Sequence, residues 1–193
     1  MVKYNCKEMK IFLIVIVIVT LLLLLKTTVF AQEATGEATV IPTLQASPSG
    51  QAPIPYELPY PGILPDHPLW SLKALRDKII SFLIGDPVKK AEFDLSQADK
   101  RLNAGVYLFK KGKGDLAYST ISKGENYFEQ SVSKIAEARR VGKDINSLKS
   151  LILRAAQKHQ AVLAQLIKQY PNFSAPLGKE LERIGSQEKI VNE

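Results

Sequence analysis

Two histidines, His67 and His159, are the side chains from which acid–base or metal chemistry would have to start in this sequence, because imidazole titrates near neutral pH. His67 sits in Pro-Asp-His-Pro, where Asp66 can cap a following helix and the histidine reads as a turn residue. His159 falls on an apolar seam of helical spacing, the place of a satisfied core or boundary residue rather than a ligand. No Glu-x-x-His occurs, so the signature of carboxylate-bridged metal bundles is missing. Glu125 and Glu129 share a helix face at i, i+4, and pairing with lysine or arginine is their simplest role. Histidines so placed make no Ser-His-Asp order credible. Gly112-x-Gly114 is a lone turn without the strand a phosphate loop needs, and no G-x-x-x-x-G-K-[ST] is present. These residues therefore imply no catalytic, cofactor or metal site, and the expectation is a protein that is not an enzyme.

Two basic clusters remain. Lys110, Lys111 and Lys113 close one helical pattern, and Arg139, Arg140 and Lys143 close the next. Cations at helix C-termini are favoured by the backbone dipole by about 0.3–1 kcal/mol, which accounts for both clusters without a ligand. They are nevertheless the candidate contacts for an anionic surface. In an antiparallel hairpin they would lie at opposite ends, which speaks against one concentrated patch and against nucleic acid as a partner.

The elements that must position these residues divide the chain in three. Lys3, Lys7 and Lys10 precede an apolar run from Ile11 to Leu25, broken only by Thr20, and Val29 and Ala31 suit signal-peptidase cleavage between Ala31 and Gln32. Residues 1–31 thus read as a signal peptide or as an uncleaved membrane anchor. The run covers about 22 Å at roughly 1.5 Å per residue, short of a roughly 30 Å hydrocarbon core unless it extends to Ala31. Either way the chain is expected outside the cytoplasmic membrane, secreted or anchored. Cys6, Met1 and Met9 hold all the sulfur of the sequence and all lie ahead of or at the start of this segment. A cleaved product would have no disulfide, no thiol chemistry and no sulfur ligand.

Residues 32–65 carry seven prolines, from Pro42 to Pro65, among Ala, Thr, Ser, Gln and Gly, and read as a disordered, semi-extended linker. Part of Ile54–Leu64 has enough Tyr, Leu and Ile to lie along a domain surface. This stretch contains three acids and no base, whereas residues 66–193 are basic, with 22 bases against 15 acids, within a whole-chain formal charge of +7.

Residues 66–193 show helical periodicity and no strand pattern. A first helix over 68–84 places Leu69, Leu72, Leu75, Ile79, Phe82 and Leu83 on one face, expected to pack across the bundle. Asp86-Pro87 restarts the chain as a cap with proline at the first helical position. The second helix carries Val88, Ala91, Leu95, Ala98, Leu102, Gly105 and Phe109 in alternating steps of three and four, the seam of a coiled-coil-like pair. Asp115 is the expected cap of a third helix with Ala117, Ile121, Gly124, Phe128, Ser131, Ile135 and Ala138 in the same steps. A fourth runs from Asp144 through Tyr170, and a shorter fifth over about 176–190 frays after Ile184. The fold class is all-α: an elongated antiparallel hairpin or bundle of three long helices plus short N- and C-terminal helices. Small residues at the seams favour close approach within the chain, and suit self-association equally.

The run LPDHPLWSLKALRDKIISFLIGDPVKKAEFDLSQADKRL, Leu64 to Leu102, resembles the bacterial family catalogued as domain of unknown function 5667. The shared features are a Leu-Pro-x-x-Pro-Leu entry, a short amphipathic helix, Asp-Pro, and a helix with Lys-Ala-Glu, Leu95, Ala98 and Lys-Arg-Leu. The resemblance is specific over its first 40 residues and runs to about residue 140. It implies an exported or membrane-anchored protein, in some members alongside anti-sigma-type regulators, and carries no catalytic residue. The sequence therefore leads to a non-enzymatic, extracytoplasmic module that binds an envelope protein. The alternative is electrostatic binding to an anionic envelope polymer or lipid surface.

Overall fold

The computed structural model describes residues 56–193; the export segment, with Ala31 and Gln32, and most of the proline-rich stretch lie outside the described residues. Five helices follow one another: α1 Trp70–Leu83, α2 Pro87–Lys110, α3 Gly114–Arg140, α4 Asn146–Gln169 and, after a 3₁₀ turn at Pro171–Phe173, α5 Ser174–Asn192. No strand occurs among the described residues, and none of their helices is long and apolar enough to cross a membrane.

The α2–α3 hairpin forms where two alternating seams meet. Ala91, Leu95, Ala98, Leu102 and Phe109 on α2 are buried, as are Ala117, Ile121, Phe128, Ile135 and Ala138 on α3. The pairing is antiparallel, since Ser131 Oγ donates to the Ala91 carbonyl (2.9 Å) while Gly105 lies against Ile121. Gly105 is required by proximity, because a Cβ there would stand 2.3 Å from Ile121 Cγ1. At the turn, Gly112 takes φ +74°, a left-handed conformation that favours glycine. Lys113 N then donates to Leu108 O (3.0 Å), closing the last turn of α2.

Local caps follow the sequence in part. The Asp86 side chain accepts from Val88 N (2.9 Å) and Lys89 N (3.1 Å), with Pro87 at the first helical position. Asp115, expected as the next cap, lies in the first turn of α3 and makes no capping bond. The turn is already closed from the α2 side, and α3 starts one residue earlier. Asp66 does not cap α1 either; it accepts ion pairs from Lys111 (3.2 Å) and Lys113 (2.8 Å) at the far end of α2.

Two expectations about packing are overturned. α5 is 19 residues long and does not fray after Ile184; Leu177, Ile184 and Val191 are all buried, so it is a full member of the core against α4 and α3. α1 is reversed relative to its apolar pattern. Its only buried residue is Asp77, and Trp70, Lys73, Ala74 and Ser81 share that inner face. Leu72, Leu75, Ile79, Phe82 and Leu83 point to solvent. The physical reason is that the groove between α2 and α3 is already filled by their own seams. The α2 surface left for α1 offers mainly polar anchors: Lys90 Nζ donates to Ser81 Oγ (2.5 Å), and the Arg101 guanidinium lies 5.6 Å from the Trp70 ring.

Residues 56–65 lie along the same surface of α2. Asn103 Nδ2 donates to Pro59 O (2.9 Å), Lys73 Nζ donates to Pro61 O (2.6 Å), and Tyr56 and Leu58 pack against the core.

Candidate functional site

Asp99, Glu125 and His159 come together at the centre of the bundle from α2, α3 and α4. Each charged position on the hairpin is dictated by its seam. Asp99 follows Leu95 by four residues and precedes Leu102 by three; Glu125 stands in the same relation to Ile121 and Phe128. Both therefore fall on the inner side of their helices. His159 continues the buried row Leu148, Ile152 and Ala155.

The ring of His159 is fully buried and bonded at both nitrogens. Nε2 lies 2.9 Å from Asp99 Oδ1, and Nδ1 lies 3.2 Å from each oxygen of Glu125. Tyr56 donates its hydroxyl to the second oxygen of Asp99 at 2.6 Å. The Phe128 ring covers the imidazole at 5.1 Å between centroids. Burial alone would push the histidine pKa down. The Glu125 charge, the hydrogen bonds to Asp99 and to Glu125, and the Asp99 charge outweigh it and hold the pKa at about 9. The group at neutral pH is thus an imidazolium clamped between two carboxylates, each nitrogen donating. Burial first, then the charge of Asp99 and the hydrogen bond to it, raises the Tyr56 hydroxyl well above its ordinary value and keeps it a neutral donor.

This arrangement ties helices together. With both imidazole nitrogens engaged as donors, the ring has no lone pair for a metal or for accepting a proton. Among the described residues no group of three or more His, Cys, Asp or Glu is disposed to hold a metal ion. A groove of about 530 Å³ lies elsewhere, between residues 60–63 and α1, where Ile63, Leu69 and Leu72 meet Lys73, Arg76 and Lys100.

The sequence candidates are placed as follows. His67 is a turn residue whose Nδ1 accepts from Leu69 N (3.1 Å). Glu129 pairs with Arg183 (3.0 Å), as a surface carboxylate should, but Glu125 does not pair with lysine or arginine. It faces inward, where His159 is the cation within reach. Lys111 and Lys113 bind Asp66, and Lys143 binds Asp86 (3.0 Å) at the other end of the hairpin. Lys110 lies 5.7 Å from the Tyr107 ring, and Arg139 and Arg140 occupy the last turn of α3. The two clusters are therefore not brought together. Asp99 and Tyr56 are not among the sequence candidates; the three-and-four offset of Asp99 from its seam is the signal that marks it, whereas for Tyr56 the apolar content of Ile54–Leu64 points to docking on the domain but not to a bond with Asp99.

A further buried carboxylate, Asp94, pairs with Lys90 at 2.8 Å while its other oxygen has no partner. Burial raises its pKa, against the lowering effect of Lys90.

No curated protein and no solved structure matches the chain. The family model described as Domain of unknown function (DUF5667) matches residues 62–172, from just ahead of α1 to the 3₁₀ turn after α4. That span is more than half of the chain and reaches beyond residue 140, where the resemblance in the sequence ends. The chain belongs to the DUF5667 family.

Proposed function

We propose that this chain is a non-enzymatic interaction module on the outer side of the cytoplasmic membrane, with three long helices as scaffold and the outward face of α1 as its binding surface. The observation that carries this reading is the orientation of α1. Leu72, Leu75, Phe82 and Leu83 are 65, 56, 88 and 73 % exposed. Scattered apolar residues on a surface are ordinary, but a contiguous stripe of them marks an interaction site. The non-enzymatic part rests on the Asp99–His159–Glu125 cluster, whose hydrogen-bonding groups are used within the fold and sealed from solvent. The outer location rests on the N-terminal sequence alone.

Both partner classes expected from the sequence, an envelope protein and an anionic polymer or lipid surface, bear on this face. Lys111, Lys113 and Lys143 each pair with an aspartate, so half of the six expected cations are partly compensated, and the two clusters lie at opposite ends of the hairpin, which favours α1 over them. The test is a photo-reactive residue at position 75 in intact cells, against one at the exposed Glu182 of α5. Adducts with envelope material, lipid or protein, should form at position 75 and be scarce at 182. Equal yields at the two positions would remove α1 as the binding surface.

A further inference from the structure

We propose that the occupant of the α1 face is an anionic phospholipid bilayer, in whose surface the helix lies with its apolar side chains at the acyl boundary. This rests on the reading of α1 as the binding surface and names its partner. At about 100° per residue, Leu72, Leu75, Ile79, Phe82 and Leu83 fall within a sector about 100° wide. Arg76 stands just beyond one edge of that sector and Lys78 just beyond the other. Asp77, the only acid of α1, lies opposite the sector and is 7 % exposed. Every charge that α1 shows to solvent is therefore positive.

Such a cross-section suits an interfacial helix. The apolar sector enters the boundary while two long cationic side chains reach back to phosphates on either side. Arg76 is partly compensated, at 2.7 Å from Asp77 Oδ1, whereas Lys78 has no ion-pair partner among the described residues. The adjoining groove adds Lys100 beside Ile63 and Leu69, while Lys73 there is already bonded to the Pro61 and Ile63 carbonyls. A second copy of the chain fits less well. Two α1 faces pressed together would bring Arg76 and Lys78 against their own counterparts with no exposed acid to answer them. Phosphates arrayed on a flat surface meet both edges at once.

The test uses the full chain carrying Phe82→Trp, reconstituted in nanodiscs whose lipids bear bromines on their acyl chains. One set contains phosphatidylglycerol with phosphatidylcholine, the other phosphatidylcholine alone. Phe82 is 88 % exposed, so the substitution leaves the core untouched. The native chain has one tryptophan, Trp70, on the inner face of α1, and supplies the reference. In the anionic discs, emission from position 82 should be quenched well beyond the native reference, and in the neutral discs much less. Arg76→Gln with Lys78→Gln should weaken the association roughly tenfold to thirtyfold, at about one elementary attraction lost per cation. Quenching should then fall towards the native level, as it should at high salt. Quenching no greater than the native reference in anionic discs would overturn the proposal, as would quenching indifferent to loss of the two cations. If it fails while position 75 still cross-links to a protein in cells, the lipid is wrong and the α1 face stands. If both fail, the binding face itself falls.

Discussion

Asp99 on α2 and His159 on α4 meet across the core at 2.9 Å, and Glu125 on α3 holds the other side of the same ring. One imidazolium thereby joins three helices, tying α4 to the α2–α3 hairpin. Replacing such a group by apolar packing often costs nothing, but removing one partner leaves the others charged and buried. The cluster therefore fixes which faces of α2, α3 and α4 meet.

The first prediction concerns pH. The folded His159 pKa of about 9 lies above its ordinary 6.5. The stabilisation from its charge is thus complete below about pH 6.5 and is lost as pH rises through 9. Linkage puts the loss at about 3 kcal/mol. Urea unfolding measured between pH 6 and 10 should show this decline, and a His159→Gln chain should lack it. A flat profile would show that the ring is neutral in the fold.

Removing the cation has a larger effect than removing the whole cluster. His159→Leu leaves Asp99 and Glu125 buried without their partner and should destabilise by about 3–5 kcal/mol. Adding Asp99→Leu and Glu125→Leu should recover much of that loss. Equilibrium unfolding of the single and triple variants tests the comparison; additive losses would mean that the three side chains do not act as a unit.

Close approach in the α2–α3 hairpin is tested at one position. Gly105→Ala sets a methyl 2.3 Å from Ile121 Cγ1, and overpacking of this kind costs about 1–3 kcal/mol. Ile121→Ala in the same chain should make the two changes strongly non-additive, because it empties the space that the new methyl needs. Thermal melts of the four chains in that cycle decide it.

The orientation of α1 separates two kinds of apolar residue. Leu75→Ser with Phe82→Ser should leave stability within about 0.5 kcal/mol per site, since both side chains face solvent. Leu102→Ala, at a fully buried position, should cost about 2–5 kcal/mol. Comparable losses at the two places would mean that α1 packs by its apolar face after all.

What the sequence by itself determined is local and periodic. The steps of three and four from Ala91 to Phe109 and from Ala117 to Ala138 make two matched seams that must be buried, and a short turn brings them together. Asp86-Pro87 and Gly112 mark where helices begin and turn, because capping and a left-handed φ depend on single residues and their neighbours. The family, too, was legible in the entry to α1 and the start of α2.

Tertiary structure alone decided which partner each exposed or charged residue takes. Glu125 and Glu129 both read as partners for lysine or arginine; the fold gives Glu129 to Arg183 but sets His159, from another helix, against Glu125. The amphipathic pattern of α1 says that the helix has an apolar face but not that the bundle has room for it. The seams of α2 and α3 fill each other, the polar side of α1 meets Lys90 and Arg101 on α2, and its apolar side faces outward.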